Sequence, residues 1–131
     1  MTFDFDSFNT KDASEQGAEV EIIHPETGPT GLFIRVKGPH SSEVRAQLGR
    51  IRLRAQAASK GTFRKDDEQE GPEFLATITI GWRTADGSPV KLLGEDLPFS
   101  KDNAIKVYTN YSLIADQVAA FVFQPTNFLK G

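Results

Sequence analysis

An α+β fold in a single domain, with an N-terminal β-hairpin and a packed helix followed by a mainly α-helical C-terminal half, is what the order of patterns along this chain predicts. Three observations carry that reading. Two short β-branched runs, Glu19 to Ile23 and Leu32 to Lys37, flank a stretch dense in turn formers. A single apolar stripe at helical spacing follows, as far as about Ala58, and two helix-length segments run almost back to back from Ser100. With 131 residues, 38% hydrophobic and 25% charged, the chain is large enough to bury one core without metals or crosslinks.

Residues 1–17 are acid-rich, with Phe3, Phe5 and Phe8 at no sustained period, and are expected to form a flexible arm. The domain proper is then 18–131. In its first part, 18–58, Val20 and Ile22 alternate with Glu19 and Glu21, which gives a hairpin with one buried and one wet face. The stretch from His24 to Gly31 is read as a long loop. Two strands alone are marginal, so a helix is expected across the buried face. Gly38-Pro39-His40 ends the second strand, and Ser41 or Ser42 caps that helix. Val44, Leu48, Ile51 and Ala55 draw its stripe, while Arg45, Arg50, Arg52 and Arg54 lie off it as a solvated basic face.

Residues 59–73 switch from basic to acidic with one large apolar residue, Phe63, and are read as an exposed linker. The last part, 74–131, opens on Phe74 to Trp82, whose apolar positions fit a helix and strict alternation equally well. Asp86-Gly87 is a turn, Val90 to Leu93 a short extended piece, and Trp82 and Phe99 are expected as aromatic anchors on either side of this connection. Ser100 is expected to cap a helix of about ten residues carrying Ala104, Val107, Tyr108 and Tyr111. Ser112 opens another with Ile114, Val118, Phe121 and Val122, and Pro125 ends it. Phe128 and Leu129 leave two large apolar side chains near the end, where exposure is expected.

The net charge of −3 conceals three blocks: 1–30 hold seven acids and one base, 31–65 nine bases and one acid, 66–131 ten acids and five bases. Pairing within the molecule or between subunits is the favoured explanation, since flanking acids oppose a nucleic acid. A polyanion site on Arg45, Arg50, Arg52, Arg54, Arg64 and Lys65 is the alternative, although the helix offers only Gln47 and Gln56 for base reading. No cysteine is present, which excludes disulfides, thiolate metal sites and cysteine nucleophiles. The first residues carry acids where a secretory signal needs a basic start, and no run of about 18 apolar residues occurs. A cytoplasmic chain without membrane contact is expected.

Catalysis finds little to work with. His24 and His40 each lie beside a proline, with no third metal ligand at helical spacing. The serines sit at caps and turns rather than in a Gly-x-Ser-x-Gly elbow, and the glycines form no phosphate-cradling loop. Asp4/Asp6 and Asp66/Asp67 lie in segments too polar to be expected in a buried site. No catalytic residue, metal site or cofactor is expected.

The order Gly81-Trp82, Asp86-Gly87-Ser88-Pro89-Val90, Pro98 to Ala104, Ile114-Ala115-Asp116-Gln117-Val118 and Asn127-Phe128-Leu129 resembles the tail assembly chaperones of long-tailed, non-contractile bacteriophages. The resemblance covers about 74–131 and implies a small, mostly helical protein, with Phe74 to Trp82 helical. It implies a host-cytoplasmic protein, absent from the finished virion, whose partners are the tape-measure protein and the tail tube protein. A long apolar-striped helix must stay soluble until tube subunits cover it, which an apolar groove with a charged rim would achieve. Trp82, Phe99, Tyr108, Tyr111, Phe121, Phe128 and Leu129 are the candidate groove residues. A structural minor tail or tail-terminator protein retained in the virion is the runner-up.

Overall fold

A computed structural model describes residues 4–58 and 67–128, apart from the side chains of 7, 8, 52, 54–58 and 67–70. The expected α+β class holds. A short helix α1 (Lys11–Gln16) precedes the hairpin β1 (Ala18–His24) and β2 (Gly28–Val36), then come α2 (Ser42–Ala58) and α3 (Asp67–Ile78). The third strand β3 (Thr79–Thr84) follows directly, then the small hairpin β4 (Lys91–Leu92) and β5 (Glu95–Asp96), and the helices α4 (Lys101–Asn110) and α5 (Ser112–Val122). Single 3-10 turns lie at Phe5–Phe8 and Pro125–Phe128. No helix among the described residues is long and apolar enough to cross a membrane.

The sheet is antiparallel in the order β1-β2-β3. Val20, Ile34 and Trp82 stand opposite one another across its three strands, and Val20 and Ile34 are buried. Side-chain alternation thus gives the inner face an apolar row, as period 2 requires. On the outer face the Arg83 guanidinium lies 4.7 Å from the Phe33 ring centroid and donates to both Glu19 carboxylate oxygens, at 2.6 and 3.0 Å. That partner holds the Glu19 carboxyl below its usual range and raises the Arg83 pKa. This ion pair joins the first charge block to the third rather than to the basic one.

Four sequence expectations change. The hairpin connection is Pro25 to Thr27 rather than eight residues, because the His24 Nδ1 accepts from the Glu26 and Thr27 N–H groups at 3.1 and 3.4 Å and tightens the turn. The linker assigned to 59–73 gives way to helix from Asp67 on, and Pro72 sits inside it. Buried Phe74, Leu75 and Ile78 anchor that helix by packing, which overrides its polar start and the lost proline N–H. The part of the linker at 59–66, with Arg64 and Lys65, lies outside the described residues.

The helix implied for Phe74 to Trp82 holds to Ile78 and becomes strand at Thr79. The switch is enforced by two donors that take carbonyls at the end of α3: Thr79 Oγ1 donates to Leu75 O at 2.6 Å, and Lys37 N donates to Ile78 O at 3.0 Å. Beyond it, β-branched and aromatic residues around Gly81 suit a strand beside β2. Finally, the arm assigned to 1–17 is partly built in. Ser14 is fully buried, Gly38 N donates to Ser14 O at 2.9 Å, and the Glu15 carboxylate accepts the Ser42 N–H at 2.6 Å. This last bond lowers the Glu15 pKa and caps the basic helix.

The buried faces meet in one cluster that takes Val36 and Ile34 from the sheet, Val44 from α2, Ile78 from α3, Tyr108 from α4 and Val118 from α5. The helix across the hairpin is α5, which packs on both of its strands, whereas α2, expected there from the sequence, meets α3. Ser100 caps α4 as expected, its side chain accepting from Asn103 N at 3.1 Å.

Candidate functional site

Between the inner face of the sheet, the β4–β5 hairpin and the junction of α4 with α5 runs an apolar trough. Three cavities make it up, of about 450, 290 and 440 Å³. The first two share Leu32, Tyr111 and Ile114. The second and third share Trp82, Val90 and Leu97. The three thus lie side by side, each sharing residues with the next. Lys91 lines the middle cavity, His24 the first, and Arg83 and Asp96 the third.

Each wall is fixed by local chemistry. The Trp82 indole Nε1 donates to Leu97 O at 3.1 Å, and its ring meets Phe99 edge-on, centroids 5.1 Å apart at 90°. These contacts fasten the 85–99 excursion to β3, since an edge-to-face aromatic pair adds about 0.5–1.5 kcal/mol beyond its burial. The turn at its start is held by Asp86 Oδ1, which accepts from Ser88 N, Ser88 Oγ and Thr84 Oγ1 at 3.0, 2.6 and 3.0 Å. Those donors bring the Asp86 carboxyl down to about 2. At the far end the Gln117 amide clips α5 to Ile23 at 2.8 Å through each of its two polar atoms.

The lips of the trough are apolar and open to solvent: Leu93 is 93% exposed, Leu113 61% and Tyr111 39%. Leu93 also adopts φ +53, followed by Gly94 at +85. Together they turn the two-residue hairpin between Leu92 and Glu95, a geometry that calls for asparagine or glycine at both places. Leucine there costs about 1 kcal/mol or more in backbone strain, and its side chain gains almost no burial in return.

Of the residues singled out from the sequence, Trp82, Phe99 and Tyr111 come together along this trough. Tyr108 does not: it is 2% exposed, and its hydroxyl bonds Thr79 Oγ1 at 2.8 Å in the core. Burial raises its pKa to about 12. Phe128, expected at the surface, is 1% exposed. Pro125 starts a tight turn that folds the ring back onto Phe121, centroids 5.5 Å apart, and beside Gly38, where an added Cβ would fall 2.6 Å from the ring. Phe121 is half-buried in that same corner, and Leu129 lies outside the described residues.

Arg45 and Arg50 are exposed on α2; the side chains of Arg52 and Arg54 lie outside the description. No group of three or more His, Asp or Glu residues suited to a metal occurs among the described residues. Sequence reasoning missed Leu32, Leu93, Leu113 and Ile114 as trough residues. Leu113 carried a usable signal, since it falls off the stripe of Ile114, Val118 and Val122 and so had no core to enter.

Comparison of the chain with protein-family models, with curated proteins and with solved structures finds no match.

Proposed function

We propose that this chain is a non-enzymatic binding protein that shields an apolar segment of a client, and that it works as a tail assembly chaperone that keeps the tape-measure protein soluble and helps recruit the tail tube protein. The observation that carries the reading is the trough, a row of three cavities linked by Leu32, Tyr111, Ile114, Trp82 and Leu97 and edged by the solvent-exposed side chains of Leu93, Leu113 and Tyr111. Exposed apolar side chains around a groove are what a helix-in-groove interaction uses: the groove takes the stripe of the client helix. Burying a leucine-sized side chain contributes about 1.5–3 kcal/mol, so a few anchors suffice for reversible capture.

Trp82 is the sole tryptophan and lines two of the three cavities. Titration with an apolar-striped tape-measure segment should therefore change its emission with saturable dependence. An unchanged spectrum alongside no complex by gel filtration would reject the reading. The basic-helix alternative draws on exposed Arg45 and Arg50 and requires binding to polyanions that weakens steeply with salt.

A further inference from the structure

We infer that the β4–β5 hairpin is a lid that closes over the trough, carrying Leu93 from solvent onto the α4–α5 wall. The inference rests on the trough being the binding site proposed above. Val90, Lys91, Leu92, Leu93 and Leu97 all line the middle cavity, so this one short segment forms a whole wall of it. Tyr111 and Ile114 form the facing wall. At 93% exposure Leu93 touches almost nothing, and Tyr111 opposite is itself 39% exposed. The cavity between them, about 290 Å³, is the space that closure would remove.

The lid has a fixed base and a free tip. Leu97 N donates to Val90 O at 2.7 Å and Trp82 Nε1 donates to Leu97 O at 3.1 Å, while Pro89 and Pro98 stiffen the chain just outside. Between these fixed points each strand is two residues long, too short to hold a rigid hairpin by pairing alone. Leu93 stands at the tip in the left-handed region, φ +53, where leucine is disfavoured and where a residue chosen for the turn alone would be asparagine. A strained, exposed leucine at the mouth of an apolar cavity is accounted for by what it touches when the tip swings in. Closure without a client covers the trough and protects the free protein from aggregation; closure over a client adds Leu93 to the contact.

The chain has no cysteine, so a crosslink reports the motion without background. In Leu93→Cys/Tyr111→Cys, and separately in Leu93→Cys/Leu113→Cys, all substituted side chains are exposed, which spares the core. A disulfide needs Cβ atoms about 3.8 Å apart, so its formation reports the approach of the tip to the α4–α5 wall. The expected result is an intramolecular disulfide on mild oxidation of dilute, client-free protein in at least one pair. Binding of an apolar dye should then fall at least about two-fold and return on reduction. Failure of both pairs to close within a chain, or closure with no loss of dye binding, overturns the lid. Tape-measure segment bound equally by oxidised and reduced protein counts against the trough as client site and leaves the closure standing; loss of binding on oxidation supports both.

Discussion

The side-chain amide of Gln117 takes both backbone groups of Ile23: its Oε1 accepts from the N–H and its Nε2 donates to the carbonyl, each at 2.8 Å. The two residues are far apart in sequence, and the pairing sits where the β1–β2 register shifts between Glu21 and Ile23. Strand β1 is an edge of the sheet, so one row of its backbone groups has no ladder partner, and here a helix side chain replaces the missing strand. Gln117 thereby fixes α5 across the hairpin.

Gln117→Ala should therefore lower stability by about 1–2 kcal/mol, the net of two partly solvated hydrogen bonds. Urea denaturation measures it, with an unchanged m-value if the fold is kept. Gln117→Glu removes the donor and sets a carboxylate against the Ile23 carbonyl. Its loss at neutral pH should shrink on acidification below about pH 4, where the protonated carboxyl donates again.

Tyr108 supplies an alkaline limit. Its pKa rises to about 12 in the folded chain through burial, against about 10 when unfolded. Between those values the unfolded state binds fewer protons, so stability falls as pH rises and is intact below pH 10. The ionisation of this side chain should remove about 2–3 kcal/mol by pH 12. Tyr108→Phe should cost about 1 kcal/mol at neutral pH, because Thr79 Oγ1 keeps its bond to Leu75 O. It should also flatten the decline above pH 10, as followed by chemical denaturation across that range.

Much of this architecture was legible in the chain. Ser100 and the stripes of α4 and α5 gave helix limits that the structure keeps, and Val20 and Ile22 gave the buried face of the hairpin. The helix-to-strand change at Thr79 was not legible, because Phe74 to Trp82 satisfies both periods and one of the two bonds that enforce it comes from Lys37 in a distant segment. Phe128 was misplaced for a related reason: the space it fills exists only because residue 38 has no side chain. The trough was half legible. Its aromatics, Trp82, Phe99 and Tyr111, stand out in sequence, whereas Leu93 gains its meaning from a backbone angle.

The corner around Phe128 gives a paired test. Ser14 Oγ is buried with no hydrogen-bond partner, so Ser14→Ala should be neutral or stabilise by about 1 kcal/mol. Gly38→Ala should destabilise by about 1–3 kcal/mol, since its Cβ would strike the Phe128 ring. Thermal unfolding of the two variants should move the midpoint in opposite directions, or leave the first unmoved.

The Asp86 turn is open to direct titration. By NMR its carboxyl should titrate near 2, and Ser88→Ala, which removes the largest of the bonds that depress it, should raise that value toward the ordinary range. Because the folded pKa is depressed, the turn's contribution is present above the unfolded value of about 3.9 and lost as pH falls toward 2.

Co-expression of the tape-measure protein with this chain is the measurement that bears most directly on client shielding by the trough. The wild-type chain should raise the soluble fraction of the client, and Tyr111→Asp and Leu113→Asp, both exposed at the trough's lip, should each abolish most of that gain. Leu53→Asp, at a residue more exposed than either but on α2, should keep it. Equal solubility with and without the chain, or full activity of both lip variants, would contradict the account.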